Sequence, residues 1–74
     1  MNLNKKLGQR ITELREGQNK TLEKLAYESG ISKGGLSETE RGLREIRIST
    51  LIKICETLDM PLKDFFDFDL NSVN

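Results

Sequence analysis

The sequence predicts an all-α fold, a compact bundle of five short helices, and two patterns carry that prediction. Apolar residues recur at steps of three and four along most of the chain, which is the spacing of one helix face. No segment alternates apolar and polar residues with the period of two that a half-buried strand requires. The chain has 74 residues, the length of a single domain with one small core. We therefore expect one domain over residues 1–70 and a flexible tail over residues 71–74.

The first helix is predicted from an apolar stripe formed by Leu3, Leu7, Ile11 and Leu14. These residues are separated by four, four and three positions, so they share one face of a helix. Gly17 and Asn19 follow the stripe and are typical of a helix C-terminus.

Two shorter helices follow, joined by a tight bend. Thr21 is a good N-cap for a helix over residues 21–28, and Ser32 is a good N-cap for the next, over residues 33–41. Only a few residues separate them, and Gly30 can adopt the positive φ that such a bend needs.

The last two helices are predicted from apolar residues after an irregular connection over residues 43–48. Ser49 is expected to cap the fourth helix, whose apolar stripe consists of Leu51, Ile54, Cys55 and Leu58. Pro61 follows a break and precedes a short fifth helix marked by Leu62, Phe65 and Phe66.

Composition excludes several classes of chemistry. The chain has no histidine, so catalysis by Ser-His or Cys-His pairs and metal ligation by histidine are excluded. Its one cysteine, Cys55, can form neither an internal disulfide nor a zinc site. No apolar run approaches the ~20 residues that cross a bilayer, and no signal-peptide pattern is present. We expect a cytoplasmic protein with no enzymatic activity, cofactor, small-molecule ligand or membrane association.

Charge is balanced overall but not along the chain. Twelve basic and twelve acidic residues give a net charge of zero, so uniform basicity is not a reason to bind nucleic acid. Residues 1–54 nevertheless carry a net charge of +4 and residues 55–74 a net charge of −4. A dipolar domain can present its positive end to a polyanion. Ordinary charge scatter on a solvated surface is the alternative.

The most informative unit for function spans residues 21–42. Two short helices joined by a glycine-containing turn form a helix-turn-helix. The N-terminal residues of its second helix can reach base edges in the major groove of DNA, and the N-terminus of its first helix can face a phosphate. Such units also occur as simple packing corners, so this pattern alone leaves DNA binding and plain packing open.

The sequence as a whole resembles the Xre, or phage repressor/Cro-like, helix-turn-helix family over residues 7–66. The resemblance is carried by Leu7-Gly8, Arg10-Ile11, Leu14-Arg15, Leu25-Ala26, Gly30-Ile31-Ser32, Glu40-Arg41-Gly42 and Thr50-Leu51. It implies a lambda-repressor-like DNA-binding domain that regulates transcription as a homodimer on a palindromic operator. The connection at residues 44–48 and the segment at residues 53–55 are most similar to the restriction-modification controller branch of this family. An antitoxin-like or other protein-interaction domain is the alternative.

Candidate DNA contacts fall into two groups. We expect base reading by residues of the third helix, namely Lys33, Gly34, Gly35, Ser37 and Glu38. Lys33 and Ser37 could instead meet a phosphate, and Glu38 could instead repel phosphate or pair with a nearby cation. We expect contacts with the DNA backbone from Thr21, Ser32, Arg44 and Arg47.

The chain also departs from the family pattern at the candidate interface. Leu22 stands where the family usually has a glutamine that contacts DNA, and Gly34-Gly35 stands where it usually has two reading side chains. These glycines either let the helix approach the bases closely or make the helix begin late.

Two further sets have structural roles. The resemblance implies an internal salt bridge between Arg15 and Glu40, which would tie the first helix to the end of the third. Surplus apolar residues near the C-terminal end predict a dimer interface formed by Ile52, Phe66, Phe68 and Leu70, with completion of the core as the alternative role of Phe66.

Overall fold

The computed structural model describes residues 2–69 and confirms the all-α prediction. Its helices are α1 (Leu3–Gly17), α2 (Leu22–Ser29), α3 (Lys33–Glu40), α4 (Ile48–Thr57) and α5 (Leu62–Phe65). No strand occurs within residues 2–69. No helix of that part of the chain is long and apolar enough to cross a membrane. Leu70 and the predicted tail at residues 71–74 lie outside the described residues.

One core joins all five helices. Each helix contributes a side chain with no exposed surface, namely Ile11, Leu25, Leu36, Ile54 and Phe65. Full burial of one such side chain is worth about 1.5–3 kcal/mol relative to its exposed state. The core therefore fixes the position of α3 against the rest of the bundle, although α3 has only eight residues.

Side-chain caps begin α1, α2 and α3. The Oγ1 atom of Thr21 accepts a hydrogen bond from the Lys24 N–H at 3.1 Å, and Ser32 Oγ accepts one from the Gly35 N–H at 3.0 Å. The predicted cap at Ser49 is wrong, because α4 already begins at Ile48. Arg47 is extended, and its carbonyl accepts the first hydrogen bond of α4 from the Leu51 N–H at 2.9 Å.

An ion pair joins α1 to the C-terminal end of α3. Arg15 Nε donates to Glu40 Oε2 at 2.8 Å and Arg15 Nη2 donates to Oε1 at 3.0 Å. The same carboxylate accepts from the Thr12 hydroxyl at 2.9 Å. The side chains of Arg15 and Glu40 are only 12% and 7% exposed. The hydrogen bond to Glu40 raises the pKa of Arg15 above its ordinary value, so the guanidinium stays charged at this largely buried position.

The last helix is fastened to α1 by Arg10. Its guanidinium donates to the carbonyl oxygens of Phe65 and Asp64, each at 2.8 Å, and lies 5.3 Å from the ring centroid of Phe68. Because α5 has four residues, it cannot be stable alone. Arg10 thereby supplies a partner to the Phe65 carbonyl at the C-terminus of α5, whereas the Asp64 carbonyl also accepts from the Asp67 N–H at 3.1 Å.

Candidate nucleic-acid interface

The bend between α2 and α3 sets the direction of the candidate reading helix. Gly30 adopts the left-handed conformation, with φ +70° and ψ +31°. Its N–H donates to the Tyr27 carbonyl, and the next N–H, of Ile31, donates to the Ala26 carbonyl at 2.9 Å. Ser32 is then extended and caps α3. The predicted tight turn is therefore present, and it leaves the first residues of α3 at the surface.

The two glycines of α3 lie in different environments. Lys33 and Gly34 are exposed, and a Cβ atom added at Gly34 would meet no atom within 4 Å. Gly35 is buried, and a Cβ added there would lie 2.8 Å from Ser32 Oγ. Burial removes Gly35 from the predicted base-reading set, because this third residue of α3 has almost no exposed surface that a base could touch.

The remaining exposed surface of α3 is narrow. Ser37 and Glu38 are partly exposed, whereas Leu36 and Thr39 are buried. The buried Thr39 hydroxyl is satisfied, since it donates to the Gly35 carbonyl at 2.9 Å. Three predicted readers therefore keep side chains that DNA could reach, namely Lys33, Ser37 and Glu38, and Gly34 offers only backbone.

Two ion pairs cross this surface. Lys33 Nζ lies 2.9 Å from Glu23 Oε2 on α2, and the side chains are 62% and 63% exposed. Arg44, on the connection after α3, pairs with Glu38, and these side chains are also about half exposed. The hydrogen bond from Lys33 holds the pKa of Glu23 below its ordinary value. The interface thus places each of two candidate contact cations beside a carboxylate.

The other predicted backbone contacts are polar groups at helix starts. The hydroxyls of Thr21 and Ser32 cap helices, and both residues are exposed. Arg47 is exposed at the start of α4, and its side chain makes no capping hydrogen bond. Sequence reasoning missed Glu23, because a carboxylate in the first turn of a helix is usually explained by the helix dipole alone.

The structure separates the four residues predicted to form a dimer interface. Ile52 and Phe66 are exposed, at 38% and 37%. Phe68 is half-buried, packs against the core and lies edge-on to Phe65. Leu70 lies outside the described residues. Ile48 and Leu62, each four residues before one of the exposed pair, are exposed as well and were missed by the sequence reasoning.

Comparison with known protein families identifies the family of this chain. The family model HTH_3, described as helix-turn-helix, matches residues 11–65, a segment that includes α2, the bend and α3. The chain belongs to the HTH_3 family. This confirms the resemblance to Xre-like regulators, which are DNA-binding helix-turn-helix proteins that regulate transcription.

Among proteins similar to this HTH_3 chain are restriction-modification controllers. The control protein C.BamHI of Bacillus amyloliquefaciens is 34% identical over 62 residues, covering 82% of this chain and 76% of that protein. The crystal structure of the controller protein C.AhdI from Aeromonas hydrophila matches with a TM-score of 0.80 and 33% identity, covering 86% of this chain and 96% of that chain.

A regulator outside that branch is equally similar in fold. The clp gene regulator ClgR from Corynebacterium glutamicum matches with a TM-score of 0.82 and 35% identity, covering 85% of this chain and 81% of that chain. The shared fold is therefore common to restriction-modification controllers and to a clp gene regulator, and it does not by itself separate them.

Proposed function

We propose that this protein is a sequence-specific regulator of transcription that binds double-stranded DNA as a homodimer on a palindromic operator. The observation that carries the proposal is the exposed N-terminal end of α3 in an HTH_3 domain, where Lys33 projects from a helix whose opposite face is buried. A helix of this kind fits the major groove, and a lysine there can donate to guanine O6 and N7.

Base reading and backbone clamping are assigned to different residues. Lys33, Ser37 and Glu38 contact base edges, while Arg44 and Arg47 contact phosphates. Because Gly34 has no side chain and nothing near its Cβ position, α3 approaches the bases closely there. Fewer side chains then read bases, so the shape and deformability of the operator carry part of the specificity.

Dimerisation follows from apolar surface outside the core. Ile48 and Ile52 lie one turn apart on α4, and Leu62 and Phe66 are also four residues apart, at α5. All four are large and apolar with at least 37% of their surface exposed. A second copy that covers this surface would place two reading helices about 34 Å apart, one turn of DNA.

Selection of bound sequences from random duplexes tests this proposal, followed by sedimentation equilibrium with the selected duplex. We expect a palindromic consensus and a complex of two chains per duplex. Retention on heparin at low salt, despite zero net charge, is expected because the positive charge is concentrated in residues 1–54. Absence of any consensus would contradict sequence-specific binding, and a strict monomer bound one-to-one would contradict the dimer.

A further inference from the structure

The carboxylate of Glu23 lies at the N-terminus of α2, facing the start of α3. Its Oε2 atom lies 2.9 Å from Lys33 Nζ. Its pKa is lowered first by the hydrogen bond from Lys33 and next by one from its own backbone N–H. In the free protein, this carboxylate lies in the first turn of α2 and is paired with a nearby cation, and a helix N-terminus beside a cation is a place where a phosphate can bind.

We propose that Glu23 is a specificity-determining residue, because its carboxylate occupies an anion position between α2 and Lys33 that DNA phosphate would otherwise take. The proposal rests on the proposed function, since it concerns the choice between DNA sequences. In this proposal Glu23 is a positioning residue: it affects DNA binding through its ion pair with Lys33.

Matching and non-matching DNA present different groups to the pair of Lys33 and Glu23. A lysine ammonium has three N–H donors, so it can keep Glu23 as one partner while donating to guanine O6 and N7. A duplex without the matching base offers Lys33 only a phosphate, which brings a second negative charge beside the Glu23 carboxylate. Neighbouring like charges repel, so binding to non-matching DNA is weakened more than binding to the operator.

The size of the effect is limited by exposure. Both side chains are more than 60% exposed, and the pair is accordingly weak compared with the pair between Arg15 and Glu40. An exposed pair changes an equilibrium by a factor of about 1.5 to 5. We therefore expect Glu23 to tune discrimination between sequences, with the selected operator still preferred in its absence.

The test is Glu23→Gln, titrated against the selected operator and a scrambled duplex at fixed salt. Affinity for the scrambled duplex should rise while operator affinity stays equal or falls, so that their ratio decreases by about two- to fivefold. In a Lys33→Ala background the same substitution should leave the ratio unchanged. Glu13→Gln is the matched control, since Glu13 is exposed on α1, away from the apolar surface of α4 and α5, and its replacement changes net charge equally.

Two results would overturn the inference. One is an equal rise in affinity on both duplexes that Glu13→Gln reproduces, which would be a general charge effect. The other comes from a carboxyl NMR titration without DNA, in which Glu23 should titrate below its ordinary pKa in the wild type and at a higher pH, closer to that value, in Lys33→Ala. An equal pKa of Glu23 in the two proteins would mean that the pair with Lys33 does not form, independently of the DNA-binding results. Failure of the wild-type protein to distinguish the duplexes would instead contradict the proposed function.

Discussion

Replacing Arg15 by alanine should destabilise the fold well beyond the cost of removing a surface ion pair. The substitution removes two hydrogen bonds to Glu40 and one to the Lys20 carbonyl, at distances of 2.7–3.0 Å. It leaves a carboxylate that is 7% exposed with Thr12 as its remaining hydrogen-bond partner of those described. Breaking a fully buried pair costs about 3–5 kcal/mol, and breaking an exposed pair about 0–1 kcal/mol. The small residual exposure places Arg15→Ala at about 2–4 kcal/mol.

The assay is thermal and urea unfolding followed by circular dichroism at fixed protein concentration. For a domain of this size, about 1 kcal/mol lowers Tm by about 4–8 °C, so a fall of at least about 10 °C is expected. Arg44→Ala is the control, because its pair with Glu38 is about half exposed and its removal should cost no more than about 1 kcal/mol.

A double-mutant cycle with Glu40→Ala separates the pair from other effects of truncation. Residues in direct contact should show a coupling energy of at least about 0.5 kcal/mol. Additive effects of the two substitutions, or an Arg15→Ala variant no less stable than Arg44→Ala, would refute the assignment of this pair as the tie between α1 and α3.

Three further predictions concern stability and assembly. Gly8→Ala should destabilise the fold in urea titrations by at least ~1 kcal/mol, because its Cβ would lie 2.3 Å from the Thr39 carbonyl oxygen. Gly34→Ala, whose Cβ would meet no atom within 4 Å, should instead stabilise the fold by up to ~1 kcal/mol. Equal effects of the two substitutions would contradict the packing of Gly8 against α3. Arg10→Lys replaces a guanidinium that donates from two nitrogens to two carbonyls at the end of α5 by a single ammonium nitrogen, so it should weaken dimerisation in sedimentation equilibrium. An unchanged dimer would mean that these contacts do not support the apolar surface. The hydrogen bond from Lys20 lowers the pKa of Glu28 in the folded state. The pair therefore stabilises the folded state at any pH above the ordinary carboxyl pKa, and this contribution is lost as the pH falls through the lowered pKa of Glu28. The acid side of a pH–stability curve should flatten in Lys20→Ala and not in Lys63→Ala.

Local rules predicted the features that depend on a few neighbouring residues. Thr21 and Ser32 cap helices because a hydroxyl before a helical segment can reach a free N–H two or three residues on. Gly30 takes a positive φ because the bend requires a left-handed residue there. The Arg15–Glu40 pair was named from the family pattern, and no local rule would have joined residues 25 positions apart.

Features that depend on how helices cross could not be predicted. Gly35 has no side chain whose polarity could show which face it lies on, so its burial emerged only once α3 was packed against the core. The pairing of Lys33 with Glu23 depends on the angle between α2 and α3, which the sequence does not encode in any spacing rule. At α4, Ser49 gave a capping signal, but Arg47 already has the extended conformation that begins the helix.

One titration tests most directly whether α3 reads DNA sequence through Lys33. Wild-type protein, Lys33→Ala and Arg44→Ala are titrated against the selected operator and a scrambled duplex at several salt concentrations. Lys33→Ala should cost about 1–3 kcal/mol on the operator and relax the preference at one base pair in each half-site. Arg44→Ala should weaken both duplexes alike and reduce the log–log salt slope by about one unit for each phosphate that the protein no longer neutralises. If Lys33→Ala instead weakens both duplexes equally and keeps the base preference, Lys33 only holds the backbone and the account of α3 as the reading helix is contradicted.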